Sequence, residues 1–142
     1  MVRELIHDPL LLARKSAPAT IQDAAIATDL RDTLWEHREN CAGMAANMIG
    51  ELKRIIAFWE DSLPVVIYNP HIIRALELFD TAEGCLSLLG DPQKVRRYKK
   101  ITLKYEIPAK DGKTLLQRTK TYGGFTAQVI QHEIDHCDGV LI

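Results

Sequence analysis

The sequence has only three cysteines, Cys41, Cys85 and Cys137. An odd number at wide spacing does not suit the disulfide framework of a small stapled domain. Long apolar runs are missing too: none approaches the roughly 18 residues that a membrane-crossing helix needs. Charge of one sign is not in excess, since the formal net charge is -1. That leaves no bulk attraction to nucleic acid or to an anionic membrane, and no direct binding of either is expected. Repeats, low-complexity stretches and linkers are likewise absent. Residues Met1 to Asp8 are mixed and charged. They have neither the apolar core of a signal peptide nor the Arg/Ser-rich, acid-poor character of a transit peptide. These absences point to a reducing cytoplasm.

What is present is ordinary globular composition. The 142 residues are 46% apolar and 26% charged, enough for one domain over residues 1–142 with a core of its own. A basic cluster, Lys94, Arg96, Arg97, Lys99 and Lys100, lies in a strand-like alternation and reads mostly as a solvated face. Pro9 and Pro18 punctuate an irregular N-terminal arm. Thr20 with Asp23 three residues on has the form of a capping box. Ile26, Leu30 and Leu34 then recur at helical spacing, so about 21–39 is predicted to be a helix. Gly43 and Gly50 bracket a small-residue segment that suggests tight backbone packing. Residues 54–59 and 63–68 read as strands, and Asn69-Pro70 reads as a break, because a residue before proline avoids the helical region. From 71 to 122 strands and turns dominate. Ile101, Leu103 and Tyr105 alternate as a half-buried strand, and Asp111-Gly112 turns the chain into a return over 114–121. About 125–137 is a helix apolar on most sides, hence buried. The expected fold is α+β: mainly antiparallel sheets around one central buried helix.

That helix carries His132-Glu133-Ile134-Asp135-His136. Histidines at i and i+4 stand one above the other, so their imidazoles can converge on one ion. A glutamate after the first histidine is placed to take and deliver the proton of a water that a metal acidifies towards pH ~7. Two packed core histidines are the bland alternative, and metal binding is the stronger reading. A catalytic site of this kind needs a third protein ligand. Cys41, Cys85, Cys137, His7, His37, His71 and the carboxylates are candidates. Cys137 follows His136 directly and points about 100° away on the helix, which suits a buried thiol. Spacing alone does not choose between Cys41 and Cys85.

Three segments together resemble the signature motifs of peptide deformylases. Glu83-Gly84-Cys85-Leu86-Ser87 is similar at every position to the family's Glu-Gly-Cys-Leu-Ser. Gln131-His132-Glu133-Ile134-Asp135-His136 is similar to its Gln-His-Glu-x-Asp-His. Ala42 to Gly50 resembles its Gly-Leu-Ala-Ala-Pro-Gln-x-Gly segment. The resemblance implies a metal bound by Cys85, His132 and His136, with iron(II) usual and zinc, nickel or cobalt possible in such sites. It implies Glu133 as the catalytic acid/base and the backbone N–H of Leu86 as a donor to the oxyanion. Gly43 and Gly84 would offer backbone groups to an extended peptide, and Glu83 with Arg97 would brace the ligand loop. The reaction implied is hydrolysis of the formyl group from the N-terminal methionine of nascent bacterial polypeptides. The partners implied are that N-formylated peptide and the ribosome surface.

The chain departs from the pattern in named places. Asn47-Met48 stands where the family has Pro-Gln, and Met48 cannot donate the hydrogen bond that the glutamine amide supplies. Asn47 could replace it only with a shift of the loop. Cys41 stands where glycine is usual, and Leu88-Leu89 where a proline is. Gln128 occupies a position usually apolar and near the methionine pocket, and the long C-terminal helix of many members is not seen after Leu141.

Overall fold

A computed structural model describes residues 1–142. Five strands form one antiparallel sheet in the order of the chain: β1 (Gly43–Ala45), β2 (Ile55–Glu60), β3 (Leu63–Glu83), β4 (Gln93–Pro108) and β5 (Leu115–Gly123). Three helices accompany it, α1 (Pro9–Leu12), α2 (Ala24–Glu36) and α3 (Gly124–Cys137). No helix is long and apolar enough to cross a membrane.

The apolar run of β2 is explained by burial on both faces. Ile56 and Phe58 join Ile67, Ile101, Leu103, Ala127, Ile130 and Ile134 in a core between the sheet and α3. Ile55 and Ala57 join Leu30, Leu34, Met44 and Met48 in a second core beneath α2. Each of the Ile, Leu, Met and Phe side chains among them contributes roughly 1.5–3 kcal/mol relative to exposure. The alternation of Ile101 and Leu103 turns both inward, while Lys100 and Lys104 stay exposed. Most of the basic cluster is exposed as expected, but Arg97 is 5% exposed and belongs to the interior.

The capping box forms as expected: the Thr20 side chain accepts from Gln22 N and Asp23 accepts from Thr20 N. It opens a 3-10 turn over Ile21–Asp23, and α2 follows to Glu36, ending before residue 39. The expected break at Asn69-Pro70 is not a break. β3 runs through it with a register shift between Tyr68 and His71. Asn69 takes a left-handed φ of 51°, and its side chain pairs with both backbone groups of Ala19. The extra residue is thus accommodated as a bulge instead of a turn. The arm expected to be irregular includes the short α1, capped by Asp8.

Two parts of the sheet are brought against α3. The last rung of the β3–β4 ladder pairs Glu83 with Gln93, so residues 84–92 close a hairpin end that faces the helix. Gly43 allows β1 to lie close to it, because a Cβ there would stand 2.6 Å from Val129 Cγ1 and 3.1 Å from Ala57 O.

Candidate metal centre

The loop after β3 delivers Cys85, and consecutive turns of α3 deliver His132 and His136. The donor atoms of these three residues lie within 4.8 Å of one another. His132 Nε2 is 3.0 Å from His136 Nε2, and Cys85 Sγ is 3.4 Å from His136 Nε2. The imidazoles cross edge to face with centroids 4.7 Å apart, with both Nε2 atoms on the side where the rings meet. No other trio of His, Cys, Asp and Glu groups in this way. Cys41 and Cys137 are both buried and lie outside the trio. Cys41 Sγ instead donates to Gly43 O at 2.9 Å. Burial pushes both thiols up to about 12. Of the two cysteines left open on spacing alone, Cys85 is the one that the structure groups with the two histidines.

The surroundings fit a metal. His132 Nδ1 faces Glu83 Oε1 at 2.8 Å, which leaves the Nε2 lone pair for an ion and fixes the ring. Two imidazole nitrogens and a thiol leave room for a fourth, non-protein ligand, the composition of a catalytic site and not a closed structural one. Glu83 is held in turn. Arg97 Nε and Nη2 donate to its oxygens at 2.8–3.2 Å, Gln128 Nε2 donates to Oε2 at 2.8 Å, and Arg97 Nη1 reaches Asp135 at 2.7 Å. Burial opposes the Glu83 charge, yet hydrogen bonds from His132, Arg97 and Gln128 outweigh it and hold the carboxyl at about 2. His136 has no such partner on Nδ1. Its burial and the neighbouring His132 pull its pKa down to about 3.

Glu133 is 3% exposed, and its Oε1 has no protein hydrogen-bond partner. Burial pushes its carboxyl up to about 7, a value suited to moving a proton near neutrality. It lines a cavity of about 510 Å³ together with Gly43, Met48, Cys85, Leu86, Gln128 and His132. The Leu86 N–H makes no protein hydrogen bond, so it is free to meet an oxygen. Gly84 also borders this cavity, and the space around its Cα is open.

The departures from the motif become concrete. Asn47 is wholly buried, with Nδ2 donating to His136 O at 3.0 Å and reaching Leu12 O at 3.5 Å. It is committed to tying the end of α3 to the N-terminal arm and does not line the cavity. Met48 does, but its sulfur only accepts, from Ala45 N at 3.5 Å. Gln128 was legible as a pocket residue; its bond to Glu83 was not, because 45 residues separate them. Asp135 as second partner of Arg97 was missed, although it lies inside the motif. His7, whose Nδ1 meets Ser87 O at 3.0 Å and steadies the loop two residues beyond Cys85, had no sequence signal beyond its residue type.

Comparison with known proteins gives matches along nearly the whole chain. The sequence model described as polypeptide deformylase matches residues 4–142. A peptide deformylase of Clostridium beijerinckii is 40% identical over 142 residues, covering 100% of both chains. The crystal structure of the peptide deformylase from Thermus thermophilus superposes with a TM-score of 0.82 at 31% identity, over 99% of this chain and 83% of that one. A class I type b peptide deformylase of Acinetobacter baumannii superposes at 0.84 with 26% identity, over 99% and 97%. Agreement along nearly the whole length, in sequence as well as in fold, establishes that the chain belongs to the polypeptide deformylase family.

Proposed function

We propose that this chain hydrolyses the N-formyl group from the N-terminal methionine of nascent bacterial polypeptides, with residues 1–142 acting as one unit. The observation that supports it above all is the convergence of Cys85, His132 and His136 beside the unpartnered carboxylate of Glu133. In this reading the three residues hold one divalent ion, iron(II) first and zinc(II), nickel(II) or cobalt(II) as substitutes, since a Cys/His/His set suits several first-row ions. When bound, the ion polarises the formyl carbonyl and acidifies a neighbouring water.

The chain's own groups do the rest. Glu133 takes a proton from the attacking water and returns it to the amine nitrogen as the C–N bond breaks, giving formate and a free amine. Leu86 N–H donates to the carbonyl oxygen as negative charge develops there. Gly43 and Gly84 border the cavity where the peptide backbone would run. Glu83 and Arg97 keep His132 oriented, which matters because misplacement by about 1 Å costs roughly 10²-fold in rate. Nascent chains are made in the cytoplasm and presented at the ribosome, so the cytoplasm is the expected location and the ribosome surface a candidate partner. The net charge of -1 offers no bulk attraction to nucleic acid or membrane.

The test is formate release from formyl-Met-Ala-Ser by protein loaded anaerobically with iron(II), beside Glu133→Ala carrying the same metal content. Loss of the general acid/base should lower turnover by about 10²–10⁴. Equal release by both proteins would remove Glu133 from the mechanism, and none by either would remove the deformylase reading for this peptide.

A further inference from the structure

We propose that His7 is a positioning residue of the metal centre: through Ser87 it clasps the Cys85 loop shut, holds the thiol on the two histidines and slows escape of the ion. The inference rests on reading Cys85, His132 and His136 as metal ligands.

The loop needs such a clasp. Cys85 and the free N–H of Leu86 both lie on it, beyond the last β3–β4 rung at Glu83 and Gln93. Its root is secured, since Arg97, Gln128 and His132 all engage the Glu83 carboxylate. Past Cys85 little holds the chain. Within the loop, Leu88 N donates to Cys85 O at 3.2 Å. Gly84 and Gly90 restrict the backbone less than any other residue type would, and no proline occurs between them. One hydrogen bond joins residues 86–90 to the chain outside the loop: His7 Nδ1 to Ser87 O at 3.0 Å, from 80 residues away. A carbonyl oxygen only accepts, so Nδ1 carries the proton and donates.

His7 is itself anchored on both sides. Before it, Arg3 N donates to Thr33 Oγ1 at 2.9 Å and Ile6 N donates to Met48 O at 2.7 Å. After it, Asp8 caps α1 by accepting from Leu10 N at 3.0 Å, and Leu12 of that helix is fully buried. Ile6 and His7 are consecutive, so they tie together two parts of the cavity lining: Met48, and the loop that brings Leu86 and Leu88. The His7 side chain is exposed, so replacing it opens no void in either core. Loss of the ion requires Cys85 to leave it, and a loop that swings away must first break the bond to Ser87. The net worth of one hydrogen bond, about fivefold, should therefore appear in any rate set by loop opening.

The experiment measures two such rates in the parent protein, His7→Ala and His7→Asn. The asparagine Nδ2 stands where the imidazole Nδ1 stood and keeps an N–H. The first rate is iodoacetamide labelling of Cys85 in metal-free protein at pH 8, read beside Cys41 and Cys137 in the same digests. The second is loss of cobalt(II) to excess chelator, followed by the fading of its thiolate charge-transfer absorbance. We expect both rates to rise about fivefold in His7→Ala and to return towards the parent's in His7→Asn, with Cys41 and Cys137 labelling unchanged. Rates in His7→Ala equal to the parent's overturn the inference. So does a His7→Asn protein as fast as His7→Ala, or labelling of Cys41 and Cys137 that rises as much as that of Cys85, which would mark a loosening of the whole fold. The expected rates without formate release from formyl-Met-Ala-Ser by the cobalt-loaded parent would instead overturn the deformylase reading and leave the clasp standing. No cobalt uptake by the parent overturns the reading of the three ligands and the inference with it.

Discussion

Replacing Met48 by glutamine should raise turnover by about 10²-fold. Met48 is 1% exposed and lines the cavity with Leu86 and Glu133. Its thioether accepts from Ala45 N at 3.5 Å and donates nothing. In the proposed mechanism the Leu86 N–H, which makes no protein hydrogen bond, is then the donor offered to a developing oxyanion. Glutamine has nearly the length and volume of methionine. Its Oε1 can take over the Ala45 N–H, which turns Nε2 towards the cavity. A second oxyanion donor is typically worth ~10²–10³ in kcat, and 10² corresponds to about 2.7 kcal/mol of barrier. Because the charge develops only in the transition state, KM should change little. The amide lacks a partner when no substrate is bound, so stability should fall by about 1–3 kcal/mol. The assay is formate release from formyl-Met-Ala-Ser at matched metal content, with urea unfolding of both proteins. A folded Met48→Gln protein whose kcat equals or falls below that of the parent refutes the argument.

Three other outcomes are expected. Glu83 has its pKa lowered from 4.5 to about 2, so it stabilises the metal-free fold fully above pH ~4.5 and loses that contribution as pH falls through 2; at about 1.4 kcal/mol per pH unit this is roughly 3 kcal/mol. Glu83→Gln should flatten the acid limb of urea midpoints measured between pH 2.5 and 6, and an unchanged limb would show that another carboxylate controls it. Cys41 and Cys137, both held at about 12 by burial, should resist iodoacetamide at pH 8, while Cys85 should label in metal-free protein and be protected by metal; mass spectrometry of the labelled peptides decides. Asn47→Ala removes the Nδ2 bond to His136 O and should cost about 1–3 kcal/mol of stability, with weaker metal retention in a chelator competition; retention equal to the parent's would separate Asn47 from the centre.

Much of the fold was readable because it repeats locally. The period of Ile26, Leu30 and Leu34 announces α2, the alternation of Ile101, Leu103 and Tyr105 announces β4, and Thr20 with Asp23 marks where a helix opens. These patterns depend on neighbours within a turn or a strand. The i, i+4 histidines and the glutamate between them are of the same kind, since helical geometry alone brings them together. The bulge at Asn69 was not readable, because its left-handed backbone is held by Ala19, 50 residues away.

The same division runs through the site. His132, Glu133 and His136 were legible in the sequence as a unit, and Cys85 joined them only by resemblance, since spacing left Cys41 equally eligible. Tertiary structure separated the two thiols: the end of the β3–β4 hairpin carries Cys85 to His136, while Cys41 is turned onto Gly43 O. It also assigned Asn47 to the carbonyl of His136 and Gln128 to Glu83. Those partners lie 45 to 89 residues apart, and no local period encodes a contact made by packing a sheet against a helix.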